Sequence, residues 1–149
     1  MSYQTWHNYG YGICVDDINT NTEQLQKLIA MAPNFEKEFN EAIEEWKQGE
    51  DIVPSLDDVY EILTDMDLYY GIASVLSVVI EEVEGIRLVA CDDYNCLQYV
   101  IFSQWFPWDY NAKELKMTEE SVEELFRKYV NILTDKSIAI DFQAVENGG

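Results

Sequence analysis

Positive charge is what this chain has least of. Nine lysines and arginines stand against 29 aspartates and glutamates, giving a formal net charge of -20 over 149 residues and an isoelectric point near 4.1. Such a surface repels nucleic acid and anionic membranes and attracts basic surfaces, which excludes direct nucleic-acid and membrane binding as function classes. Long apolar runs are missing too. No stretch approaches the roughly 18 consecutive apolar residues of a membrane span, and Met1 to Tyr11 has neither the basic nor the apolar region of a signal peptide. A cytoplasmic location is the expectation. Histidine occurs once, as His7, and cysteine three times, as Cys14, Cys91 and Cys96. An odd number of cysteines without an export signal points to free thiols instead of a disulfide framework. There is no glycine-rich phosphate loop, no Walker-type lysine and no GxSxG elbow.

What is present is hydrophobic mass. Apolar residues make up 48% and aromatics 13% of the chain, too much for a disordered acidic tail, and the length suits one core. A single acidic domain over residues 1–149 is expected. Tyr9-Gly10-Tyr11-Gly12-Ile13-Cys14-Val15 alternates small and large residues before Asp16-Asp17, which predicts a strand entering a turn. Its glycines allow another backbone or an aromatic ring to approach closely. Thr20 and Glu23 have capping-box spacing ahead of Leu25, Leu28 and Ile29, a short helix that Ala32-Pro33 ends. From Asn34 to about Lys47, Phe35, Phe39, Ile43 and Trp46 recur at helical spacing, and Gly49 closes the pattern. Ser55 and Asp58 repeat the capping box before Leu56, Val59, Tyr60, Leu63 and Met66.

Ile72, Val75, Leu76, Val79, Ile80 and Val83 then predict a central buried helix that stops at Gly85, favoured over a strand pair by its length. Ile86 to Cys91 and Leu97 to Gln104 read as strands joined by a four-residue loop, Asp92-Asp93-Tyr94-Asn95, with Cys91 and Cys96 flanking it on facing strands. After an irregular segment from Trp105 to Lys116, Thr118 caps a helix carrying Val122, Leu125, Phe126, Tyr129, Ile132 and Leu133. Ile138 to Val145 forms a last strand, and Asn147-Gly148-Gly149 a frayed tail. This order predicts an α+β fold, a small and mainly antiparallel sheet with about five helices packed on it.

Tests for catalytic and metal chemistry each fail at a required member. Asp17 to Glu23 places oxygen ligands like a calcium loop, but Thr22 stands where the glycine belongs and Leu28 where the bidentate glutamate belongs. Cys91 and Cys96 have a spacing found in zinc sites, yet only Cys14 and His7 remain as further nitrogen or sulfur ligands. Carboxylate pairs are too numerous to be diagnostic of glycosidase chemistry. No metal, no cofactor and no enzymatic activity is expected. The alternative reading is a small enzyme or ligand-binding domain with a cleft near His7, Tyr9 and Cys14, between the first strand and the hairpin.

The acids are unevenly distributed. Between Lys47 and Arg87 lie ten of them, Glu50, Asp51, Asp57, Asp58, Glu61, Asp65, Asp67, Glu81, Glu82 and Glu84, and no lysine or arginine. Asp92, Asp93 and Asp109 extend the run with Arg87 as its one cation before Lys113. Like charges one helical turn apart cost about 0.2 to 0.5 kcal/mol per pair, so stability alone favours mixed signs. At about 6 Å spacing along an axis, such carboxylates imitate a row of backbone phosphates facing a basic groove. The same charge also keeps an aromatic-rich domain soluble, and the two readings stand side by side. Candidate partner-binding residues are Asp57, Asp58, Glu61, Asp65, Asp67, Glu81, Glu82, Glu84, Asp92 and Asp93. Trp105 and Trp108, in the segment Trp105-Phe106-Pro107-Trp108-Asp109-Tyr110, are added as aromatic anchors.

A small chain with this carboxylate run and no catalytic motif resembles phage and mobile-element proteins, including the DNA-mimicking inhibitors of the anti-CRISPR type. The resemblance implies stoichiometric inhibition, in which the acidic face occupies the basic channel of a nucleic-acid-binding protein, such as a nuclease, and excludes its ligand. A convex face of Asp57, Glu61 and Asp65 is the form expected of that inhibitor.

Overall fold

The computed structural model describes residues 5–103 and 107–148. The chain begins with strand β1 (Thr5–Cys14) and a single 3-10 turn (Val15–Asp17). Four helices follow, α1 (Thr22–Ile29), α2 (Pro33–Lys47), α3 (Leu56–Asp65) and α4 (Ile72–Glu84). A hairpin of β2 (Val89–Asp92) and β3 (Gln98–Ser103), the short α5 (Ala112–Leu115), the long α6 (Glu119–Leu133) and β4 (Asp141–Gly148) complete it. The fold is α+β, with an antiparallel sheet in the order β2-β3-β1-β4 and the helices on one face.

Helix α4 is the centre. Ile72, Ala73, Val75, Leu76, Val79 and Ile80 are all buried, and it packs on β2 and β3 from one side and on α1 and α2 from the other. Its C-terminus stops at Gly85, whose φ of 71° is left-handed and suits a residue without Cβ. The other helix starts are held by caps. The Asn21 side chain accepts from the Gln24 amide at 2.8 Å, one residue beyond the expected Thr20 start. Ser55 and Asp58 form the expected capping box, and Thr118 caps α6 through Ser121. Pro33 opens α2 at its first position instead of merely ending α1.

Two readings of the β segments need correction. β2 and β3 are joined by five residues, 93–97, because Asp92 pairs with Gln98. Cys91 therefore faces Tyr99, while exposed Cys96 sits in the loop at φ 64°. The C-terminal residues are not a frayed tail: Asn147 and Gly148 pair with Trp6 and Thr5, which satisfies both backbones.

The sheet is rolled. Residues of β2 and β4 come within 8 Å at Cα although two strands separate them, whereas a flat sheet would hold them about 14 Å apart. The roll closes away from the helices, over Gly12, Ile101, Cys91 and Val145, which are buried apart from the main core. Gly12 permits it. A Cβ there would collide with the Val100 carbonyl oxygen and lie 2.7 Å from Ile101 Cα, a backbone approach only glycine allows.

Gly12→Ala is expected to cost about 2 to 3 kcal/mol in urea unfolding, since neither strand backbone can retreat without breaking the ladder. Tyr129 is fully buried, and burial, then the Glu84 carboxylate as a charge and as a distant acceptor, raise its pKa to about 12, while among the described residues its hydroxyl meets no acceptor in good hydrogen-bond geometry. Tyr129→Phe should accordingly leave stability unchanged or raise it by up to about 1 kcal/mol; a loss of that size in thermal melts would show a partner for the hydroxyl.

Candidate acidic docking surface

Helix α3 exists because Val59, Ile62 and Leu63 are buried against the core while its other face is left to water. On that outer face Asp57, Glu61 and Asp65 are exposed and fall at successive i, i+4 positions. Neither α3 nor α4 contains a lysine or arginine. The row does not form the convex face expected from the sequence. Glu61 and Asp65 are instead one bank of a groove of about 620 Å³ between α3 and the C-terminal end of α2.

The groove has an amphipathic cross-section. Ala42, Trp46, Ile52, Ile62 and Met66 supply apolar surface, and Glu45, Glu50, Glu61 and Asp65 supply carboxylates around it. Lys47 also lines it, with its ammonium 3.5 Å from Glu44. Trp46 and Met66 are partly buried against the core, so each is held in place from beneath. Glu45, Glu50 and Trp46 were not among the sequence candidates, since their relation to α3 depends on how two helices pack.

Five of the remaining candidates, Glu82, Asp58, Asp93, Glu84 and Asp67, do structural work. Glu82 reaches from α4 to accept the amides of Asn34 and Phe35 at 3.0 and 2.9 Å, capping α2, whose own N-cap residue Ala32 has no side-chain acceptor. Asp58 accepts the Ser55 amide, and Asp93 accepts the amides of Asn95 and Leu97 and the Tyr99 hydroxyl. Glu84 pairs with Lys128 at 3.1 Å, and Asp67 accepts from the Tyr69 hydroxyl at 2.7 Å. Glu81 is exposed on α4, and Asp92 ends β2 half-buried. Trp108 stands 78% exposed on the 3-10 turn Pro107–Asp109, and Trp105 lies outside the described residues.

The alternative cleft does not form as expected. β1 and β3 are hydrogen-bonded neighbours, and Tyr9 and Cys14, five residues apart on one strand, point to opposite faces, so these two described residues do not converge on one cleft. His7 lies on β1, its side chain outside the described residues. Burial pushes the Cys14 thiol up, and burial with Asp92 and Asp93 raises Cys91 to about 11, the opposite of an activated nucleophile. Among the described residues no cluster of three or more histidine, cysteine or acidic side chains is placed to hold a metal ion.

One carboxylate escaped the sequence reading altogether. Glu114 has a fully buried side chain gripped by Arg87, with Nη2 to Oε1 at 2.7 Å and Nε to Oε2 at 3.0 Å. It also accepts the amides of Arg87 and Asn111, and Arg87 reaches the Asp109 carbonyl as well. Thus the one cation of the acidic stretch is turned to an internal acid. No protein-family model, curated protein or solved structure matches this chain.

The Arg87 guanidinium holds Glu114 at about 2, down from 4.5. A depressed folded-state pKa contributes stability that is complete above about 4.5 and lost as pH falls toward 2. Glu114→Gln should therefore cost about 3 kcal/mol at neutral pH, and its difference from the parent should shrink across that acid window. Urea unfolding of both proteins at several pH values tests it; a pH-independent difference would overturn it.

Proposed function

We propose that this chain is an acidic protein-binding domain that captures a basic partner surface through the α2–α3 groove and the neighbouring Asp57. The observation that carries the reading is the groove itself: an apolar strip including Trp46 and Met66 bordered by Glu45, Glu50, Glu61 and Asp65. Solubility requires carboxylates but not a tryptophan-floored channel between them. Lysine and arginine side chains have the complementary build, an apolar stem with a cationic head. Their stems lie along Trp46 and Met66 while the heads meet the carboxylates, and a guanidinium gains further from the indole face.

The partner class follows from what carries such side chains in rows. A nucleic-acid-binding protein lines its channel with lysines and arginines to hold phosphates, and the carboxylates of α3 repeat at a comparable pitch. Occupation of that channel excludes the nucleic acid, so the domain acts as a stoichiometric inhibitor and not as a catalyst. Encounter is fast and salt-sensitive, because steering is by long-range charge while the buried stems set the lifetime.

The test is capture of basic proteins from a host lysate on immobilised domain at low and high salt. Asp57→Lys/Glu61→Lys/Asp65→Lys should abolish capture with an unchanged circular dichroism spectrum, since all three side chains are exposed. Trp46→Ala should weaken the captured complex by roughly thirtyfold, as loss of an interface anchor does. Asp58 is kept native because it caps α3. Equal capture by the charge-reversed protein, or capture insensitive to salt, would sink the reading.

A further inference from the structure

A second concavity lies on the helix-bearing face of the sheet, well away in sequence from α2 and α3. Register places Phe102, Tyr11 and Phe142 opposite one another on β3, β1 and β4, so three aromatic side chains stand side by side across the strands. Tyr110 extends the row by stacking on Phe102, with ring centres 6.1 Å apart and planes 20° apart. The Tyr11 and Phe142 rings meet edge to face, 6.0 Å apart at 79°. Met117 and the first turn of α6 close the other side, leaving a cavity of about 180 Å³.

We infer that this cavity is an aromatic cage for a quaternary ammonium group. Ring faces attract a cation that brings its own apolar shell, and four aromatic rings line this cavity. Glu119, at the start of α6, supplies the counter-charge, and its interaction with the Tyr11 hydroxyl raises the Tyr11 pKa. Glu119 and Glu120 in the first turn of α6 oppose the positive end of the helix dipole, which would otherwise disfavour a cation. Among the described residues that line the cavity Glu119 is the one carboxylate, the four rings, Met117, Val122 and Gly10 make up most of the remaining wall, and the Thr118 hydroxyl is already engaged with Ser121. A primary ammonium would forfeit its hydration there without equivalent acceptors, whereas a methylated one sheds water at small cost. The volume suits a head group, being below the roughly 300 to 1,000 Å³ that encloses a drug-sized ligand. Phe142 is 50% exposed, which leaves an entrance at the β4 side.

Amide chemical-shift titration of the full chain tests this with choline, its uncharged isostere 3,3-dimethylbutan-1-ol, and a peptide of otherwise neutral sequence carrying one trimethyllysine. Choline or the peptide should saturate shifts at Tyr11, Phe102, Phe142 and Glu119, about tenfold tighter than the isostere. Preference for choline indicates a free head group and preference for the peptide a modified side chain, and either supports the cage. Phe142→Ala and Glu119→Gln, at exposed positions, should each weaken binding roughly fivefold while the circular dichroism spectrum stays that of the folded parent. Equal binding of the isostere, saturation unaffected by both substitutions, or no shifts at the cage with either cation would overturn the inference. Because the peptide is neutral and the acidic groove is left native, this outcome is independent of capture by α2 and α3.

Discussion

A chain with 29 acids and nine bases cannot neutralise its carboxylates with cations, and the structure is organised around that shortage. Backbone amides take the place of the missing bases. Glu82 caps α2 from another helix, Asp58 caps α3, Asp93 ties the hairpin loop, and Asp16 accepts the Gln98 amide at 2.6 Å. An anion at an orphan amide is a charge-assisted bond, stronger than a neutral one, so these acids add order instead of only repulsion. Glu114 takes both kinds of donor at once. Of the acids left over after this internal use, Glu45, Glu50, Glu61 and Asp65 border the groove between α2 and α3.

The core is built to tolerate that surface. A buried α4, touching sheet and helices together, gives every other layer something apolar to rest on, so the acidic helices need only one buried stripe each. α2 keeps Phe35, Phe39 and Ile43 inside and presents glutamates along the rest of its length. Burial of such side chains, worth about 1.5 to 3 kcal/mol each, outweighs the few tenths lost to each pair of like charges.

Local patterns made much of this legible. The α3 capping box, the extent of α4 up to Gly85 and the cap of α6 follow from neighbouring residues, and the sequence carries them directly. Features set by chain crossing were out of reach: Glu82 caps amides 47 and 48 residues away, and Glu114 meets Arg87 across 27. The groove joins residues of two helices and the intervening segment, so the row on α3 was visible but its second bank was not. The hairpin loop was misjudged by one residue, and that alone separated Cys91 from Cys96. The opposed faces of Tyr9 and Cys14 were legible in principle, since five residues on a strand always change sides.

The pairing of β1 with β4 ties Thr5 to Gly148 and places the whole domain between two strands that are neighbours in space. Residues Thr5 to Tyr9 pair with β4, and among the described residues the β3 ladder begins at Gly10. During synthesis that half of β1 emerges early and waits through more than a hundred residues for its partner. Its open amides and carbonyls are an unprotected strand edge for that interval. Completion of the sheet is thus a late, long-range event, since the loop between the two strands must close before their contacts reward it.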